Sequence, residues 1–338
     1  SYQPRAIEKA RYIGKVYLAM TLLCMSLLMW IGGFHWFDAM CHAFTSIATG
    51  GYSTKASIKS FDSLGGEAVL IVFMFLSGAS LAVIATHLRT GVRCLSKLVQ
   101  SAEFRIYTAS SVLLISILTV ALMRSGIDFG SALRQAMFNG VSVITSTGYA
   151  TADFQAWPAT ATIVMFGAMF VGGCSGSTAG GFKQVRLLVI LRLIGYTLRQ
   201  FVRPKSVERI KLDNEVLPAA VISSIIAIVL LWFVTIIVGA VVISLDDHLT
   251  FVSSLAASAS MINCFGPALT TVEPSSVAEV LVNGGQSTAL AGTTNIGPFG
   301  GYGELHGWTK LVMILQMVFG RLELLTVLAL LSPNFWRR

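Results

Sequence analysis

Apolar residues gather along the chain in six long runs, with weaker segments between them. The runs are Val16–Gly33, Ala68–Thr86, Ile106–Met123, Ala159–Ile194, Leu217–Leu245 and Leu311–Leu331. A helix that crosses a bilayer needs about 20 mostly apolar residues, and these runs meet or approach that length. The fourth run is interrupted by Gly172–Gly181. Between the members of each pair lie His35–Ala48, Phe129–Thr145 and Leu249–Ile262. Each of these is too short or too polar to cross alone, which is the pattern of a re-entrant half-helix. Backbone that leaves such a half-helix cannot face lipid, so the segment after it must be buried in protein or line a wet cavity. The pattern predicts an all-α polytopic membrane protein.

Charge adds an orientation. The chain has 338 residues, of which 54% are hydrophobic and 12% charged, with a net charge of +8. Soluble domains carry about 25% charged residues, so a soluble enzyme, a disordered tail and a nucleic-acid-binding domain are excluded. Eighteen of the 24 basic residues fall on one side of the predicted spans. They are Arg5, Lys9, Arg11 and Lys15, then Arg89, Arg93, Lys97 and Arg105, then eight residues from Lys183 to Lys211, then Arg337 and Arg338. The positive-inside rule makes this side cytoplasmic, with both ends of the chain on it, and the half-helices enter from outside. Most acids, Asp246 and Glu304 among them, lie on the outer side, either as solvated loops or as a mildly cation-attracting vestibule. The five cysteines show no CxxC spacing and suggest neither a disulfide framework nor a zinc site. His35, His42, His87, His248 and His306 have no helical metal-site spacing and are read as interfacial or structural.

The order span, half-helix, glycine-containing turn, span occurs three times, in units at 1–104, 105–213 and 214–338. The three turns contain Ala48, Thr49, Gly50 and Gly51; Ser146, Thr147, Gly148 and Tyr149; and Cys264, Phe265, Gly266 and Pro267. A dehydrated monovalent cation must exchange its water for oxygen ligands, and backbone carbonyls can supply them. Glycine permits the backbone conformations this needs. A half-helix ending at such a turn also aims its negative end at the ion. One Thr-Gly pair alone would be a plain turn, but three in matched places point to a pore. Gly50, Gly148 and Gly266 are taken as equivalent, and the expected ligands are Thr49, Gly50, Thr147, Gly148, Phe265 and Gly266. In the third unit a second Gly-Pro, Gly297-Pro298, lacks a preceding half-helix, and the insert around 270–296 is read as an outer loop.

These turns, with the run from His42 to Thr54, the loop Gly172–Gly181 and Phe319-Gly320-Arg321-Leu322-Glu323, resemble the TrkH/KtrB/HKT superfamily of potassium-transporting membrane subunits, TrkH most closely. The resemblance covers essentially the whole chain. It implies four K⁺-channel-like M1–P–M2 units around one pore, of which three are visible in this chain. The chain is therefore expected to be a piece lacking the first unit, unable to conduct alone. Glycine at all three filter positions favours potassium. The resemblance also implies residence in the inner membrane of a prokaryote, a homodimer, and a cytosolic nucleotide-binding regulatory subunit of the TrkA or RCK type. No organic cofactor is expected on this chain.

Gly172, Gly173, Cys174, Ser175, Gly176, Ser177, Thr178, Ala179, Gly180 and Gly181 cannot form a comfortable helix in lipid. A phosphate loop would need GxxxxGK[ST] after a strand, which is absent. Small-residue helix packing is another reading. The resemblance implies a gating loop. Arg321, an ionisable residue in the last apolar run, is expected to face the interior and to contact the carbonyls of this loop. The basic run from Lys183 to Lys211 is either ordinary flanking charge or a docking surface. No His/Asp/Glu cluster lies within the spans, so a membrane enzyme is disfavoured. The alternative function is a non-conducting scaffold or degenerate homologue.

Overall fold

The computed structural model describes residues 3–55, 57–81, 101–203, 211–212, 215–270 and 294–324, together with 327 and 330. Among the described residues the helices form three triads. The first contains α1 (Gln3–Trp30), α2 (Trp36–Ile47) and α3 (Leu64–Gly78). The second contains α4 (Ala102–Arg124), α5 (Phe129–Ile144) and α6 (Ala159–Ala168), followed by α7 (Gln184–Val202). The third contains α8 (Ala219–Ile243), α9 (Phe251–Ile262) and α10 (Gly307–Leu322). In every triad all three helices touch one another. Two-residue strands, Lys211–Leu212 and Glu215–Val216, pair as an antiparallel hairpin before α8.

Length separates the members of a triad. The first helices carry the apolar stretches long enough to cross a membrane, Ala10–Trp30, Ala102–Arg124 and Ala219–Ile243. The middle helices α2 and α9 have 12 residues each, about 18 Å, little more than half of a hydrocarbon core. Their starts are set by local chemistry. Asp128 Oδ2 accepts from the Gly130 N–H at 2.9 Å, and Thr250 Oγ1 from the Ser253 N–H at 3.3 Å. Each such side chain satisfies one of the unpaired donors of a first helical turn. Pro158 and Pro218 precede α6 and α8, where a fixed φ suits helix entry.

The third helices are short, and at this point the structure corrects the sequence expectation. The run Ala68–Thr86 was expected to be one span, but α3 ends at Gly78. A side chain at Gly78 would meet the Tyr107 hydroxyl at 2.4 Å and Thr145 Cγ2 at 2.8 Å. Its carbonyl accepts the Cys174 N–H at 2.8 Å, a bond made outside any helix. Residues 82–100 lie outside the described set. In the fourth run the helix is absent over 169–183, wider than the ten residues expected. α10 ends at Leu322 and the backbone breaks at Glu323, φ 65°, before helix resumes at Leu324, so Arg321 stands in the turn just before an interruption of the last apolar run. The expected insert at 270–296 falls mostly in 271–293, outside the described residues.

The first and second triads interlock. Phe138, Val141 and Tyr149 complete the core built on Cys24, Leu28, Leu70, Phe73 and Met74. Buried Glu67 of α3 receives a two-pronged ion pair from Arg134 of α5, at 2.7 and 2.8 Å. This geometry suits a guanidinium and a carboxylate.

Candidate functional site

The three half-helices end in one shared conformation. The residues after the helix caps, Thr49, Ser146 and Cys264, have φ of 50°, 54° and 55°. The next N–H groups, of Gly50, Thr147 and Phe265, reach back to Thr45 O at 2.7 Å, Ser142 O at 2.9 Å and Ser260 O at 3.0 Å. The following residues are Gly51, Gly148 and Gly266, with φ of 69°, 89° and 96°. This is a left-handed helix stop that returns an N–H to the last helical turn, made three times.

That register corrects the first unit. Gly50 was expected to match Gly148 and Gly266, but it occupies the place of Thr147 and Phe265, and the matching glycine is Gly51. Sterics agree. A side chain on Gly51 would sit 1.9 Å from the Thr147 carbonyl oxygen, and one on Gly148 would sit 2.3 Å from that of Phe265. Gly50 has its nearest neighbour at 3.6 Å, an ordinary contact. The close approaches also place the turns in sequence around an arc, first against second and second against third.

A hydroxyl anchor behind each turn was not anticipated. Thr45 Oγ1 donates to Tyr52 O at 2.9 Å, Ser142 Oγ to Tyr149 O at 2.7 Å and Ser260 Oγ to Pro267 O at 2.7 Å. All three follow one pattern, Ser or Thr two residues before a helix-ending Ile and six before the glycine. That spacing was available in the sequence. The anchors give one carbonyl per unit a hydroxyl donor. Among the described residues, the carbonyls of Gly50, Gly51, Thr147, Gly148 and Phe265 accept no hydrogen bond. The Gly266 carbonyl differs, since the Tyr302 hydroxyl donates to it at 2.6 Å. Gly297 and Pro298, the rejected filter candidate, line the same pocket as Gly266 without forming a half-helix turn. A second pocket, lined by Ala48, Thr49, Cys264, Met317 and Arg321, opens between the first and third turns.

The 172–181 loop lies directly under the turns. Thr178 Oγ1 donates to Ile47 O at 2.8 Å, capping the end of α2, and Thr49 Oγ1 lies 2.8 Å from Thr178 O. On the other side, a side chain at Gly180 would meet Asn263 O and Cys264 Cβ, each at 2.8 Å. Ser146 Oγ and Asn263 Oδ1 are buried with no protein partner, and both face Gly181. Gly172, Gly173, Cys174, Ala179, Gly180 and Gly181 are buried or partly buried, and Ser175 and Gly176 are exposed. Gln184 holds the base of the loop, its side-chain amide donating to Gly172 O at 3.0 Å and its N–H to Gly173 O at 2.9 Å.

Arg321 does not touch the carbonyls of this loop, contrary to expectation. It donates to Ala48 O at 2.8 Å and to Thr49 Oγ1 at 3.3 Å. It therefore reaches the loop at one remove, through Thr49 and Thr178. The orphan carbonyls at the end of α2 carry partial negative charge, which a guanidinium complements. Glu323 pairs with Lys183 at 3.1 Å and Arg186 at 2.9 Å, joining the end of α10 to the start of α7.

A family model for TrkH, described as a cation transport protein, matches residues 13–281. The chain belongs to the TrkH family. Among curated relatives, the Trk system potassium uptake protein TrkH of Vibrio parahaemolyticus is 30% identical over 340 residues, and that of Halomonas elongata 32% over 341 residues. The TrkH of Escherichia coli K12 is 31% identical over 342 residues. Each match takes in 99% of this chain and 64% of the relative, so the chain spans a little under two thirds of their length. The crystal structure of the potassium transporter TrkH from Vibrio parahaemolyticus superposes with a TM-score of 0.84 at 29% identity, over 99% of this chain and 66% of that one. The TrkH architecture of repeated M1–P–M2 units accounts for the three triads.

Proposed function

We propose that the three turns form part of the selectivity filter of a potassium uptake pathway, and that the 172–181 loop is its gate. The observation that carries this reading is the arc of unpartnered carbonyls at Gly50, Gly51, Thr147, Gly148 and Phe265. Oxygens left without donors at membrane depth would be costly unless an ion or water meets them. A ring of such oxygens is what replaces the hydration shell of K⁺. The half-helix ends add negative potential at the same place. A fourth turn between Thr49 and Cys264 would complete the ring. Below it, Ser146 Oγ and Asn263 Oδ1 offer two further buried oxygens to a partly hydrated ion.

The loop obstructs the path while Thr178 and Gly180 remain docked under the turns. Arg321 strengthens that closed state and repels cations that reach it. The basic residues of α7 lie on the face where the loop emerges, and the positive-inside rule makes that face cytoplasmic. This face would receive a cytosolic nucleotide-binding subunit, whose movement undocks the loop. Pairing of two such pores as a homodimer in the inner membrane belongs to the same reading.

The test is potassium-limited growth and rubidium tracer uptake in cells stripped of their own potassium systems and expressing the complete gene with its regulatory subunit. Uptake that saturates with K⁺ and is lost in Gly148→Ser is the expected result. Absence of uptake despite membrane expression would overturn the proposal and favour a scaffold.

A further inference from the structure

A second cluster of chemistry lies away from the arc, on the side where the half-helices begin. Asp246 and His248 sit in the short linker between α8 and α9, and His306 immediately precedes α10. Asp246 Oδ1 is 2.8 Å from His248 Nδ1 and 3.2 Å from His306 Nδ1. One ligand atom from each of the three residues falls within 4.8 Å of the others. The carboxylate is buried, whereas the two imidazoles are 41% and 51% exposed, so the cluster is anchored on one side and accessible on the other.

Three features distinguish this cluster from two imidazoles resting on a carboxylate. Oδ1 already accepts the His248 backbone N–H at 3.2 Å, so both rings converge on an oxygen with little capacity left. The separations of 2.8 and 3.2 Å approach the edge of a tetrahedron built on metal–ligand bonds of about 2.0–2.1 Å, roughly 3.3 Å. The other oxygen, Oδ2, is held by the Thr309 hydroxyl at 2.5 Å and the His306 backbone N–H at 3.1 Å. Such outer hydrogen bonds orient a ligating carboxylate.

We propose that Asp246, His248 and His306 form a binding site for a divalent transition-series cation of the zinc type. Two imidazoles and one carboxylate suit Zn²⁺ and its neighbours better than Mg²⁺ or Ca²⁺, which prefer all-oxygen sites. Three protein ligands leave a fourth position for water. The bound cation joins the α8–α9 linker to the first turn of α10. That helix carries Arg321 at its other end, and Tyr302, which holds the Gly266 carbonyl, lies four residues before His306. Occupancy therefore stiffens the third turn and the Arg321 contact from the entry side.

The site is tested by titrating the purified complete protein with Co²⁺, followed by its visible absorption and by displacement with Zn²⁺. This measurement needs no transport, so it can fail while the potassium reading stands. The expected result is one Co²⁺ per chain with the intense bands of a four-coordinate site, displaced by micromolar Zn²⁺. His248→Ala and His306→Ala should each weaken Zn²⁺ binding at least tenfold while the protein elutes and melts as before. Asp246→Asn also disturbs Thr309 and the start of α10, so the histidine variants decide. Unchanged Zn²⁺ affinity in the double histidine variant would overturn the proposal. So would displacement of Co²⁺ by Mg²⁺ or Ca²⁺ as readily as by Zn²⁺.

Discussion

Gly51 and Gly148 are constrained twice, by a left-handed backbone and by a neighbouring carbonyl closer than any Cβ could be. A side chain in the left-handed region costs about 1–2 kcal/mol before any clash is counted. Gly51→Ala should therefore abolish uptake by the complete protein, whereas Gly50→Ala, with room and ordinary φ, should keep most of it. Equal loss in both variants would refute the pairing of Gly51 with Gly148 and Gly266. Arg321 comes from the third unit and acts beside the first turn. Its bonds to Ala48 O and Thr49 are charge-assisted but partly solvated, and are worth about 1 kcal/mol. Arg321→Ala should raise tracer uptake in the absence of the regulatory subunit about fivefold. Unaltered basal uptake would show that Arg321 does not hold the closed state.

The half-helices show why an element must carry its own anchors. A 12-residue helix ending inside a membrane leaves its last carbonyls without partners. In this chain they are met by the left-handed stop, by Thr178 beneath α2, and by Arg321. The hydroxyls of Ser142 and Ser260 fix the strand that leaves each turn, and both are buried. Ser142→Ala would leave the Tyr149 carbonyl unsatisfied, at a cost of about 1–3 kcal/mol. The expected outcome is a lower melting temperature in detergent and weakened discrimination between K⁺ and Na⁺ in competition uptake. A change in neither would remove the anchor from the account. The short third helices follow a related logic. α3 stops where the Cys174 N–H reaches the Gly78 carbonyl, and α6 stops where the non-helical segment before α7 begins.

At the scale of the molecule, polar contacts tie the triads together, and these matter because lipid offers no hydrophobic drive between helices. Glu67 and Arg134 join the first triad to the second. Removing the arginine leaves a buried carboxylate without its partner. Breaking a fully buried pair costs about 3–5 kcal/mol. Arg134 is partly exposed, so about 2 kcal/mol is expected for this pair. Arg134→Ala should lower the midpoint of thermal unfolding, and Glu67→Gln in the same chain should recover part of it. No recovery in the double variant would mean that Arg134 acts through packing rather than charge.

The apolar runs, the half-helices, the interrupted fourth run and the glycine turns were all legible in the amino-acid sequence. Each depends on local periodicity, on length against bilayer thickness, or on backbone freedom at a glycine. Even the true register was written there, in the Ser/Thr, Ile, Gly spacing shared by the three turns. Tertiary structure alone decided the rest. Thr49 and Arg321 stand 272 positions apart and His248 and His306 stand 58 apart, and no periodicity reports on such pairs. Gly78 ends α3 because Tyr107 from the next unit occupies the space beside it and the Cys174 N–H donates to its carbonyl. Contacts of this kind arise only when the units pack against one another. Each unit then supplies the partners that its neighbours lack.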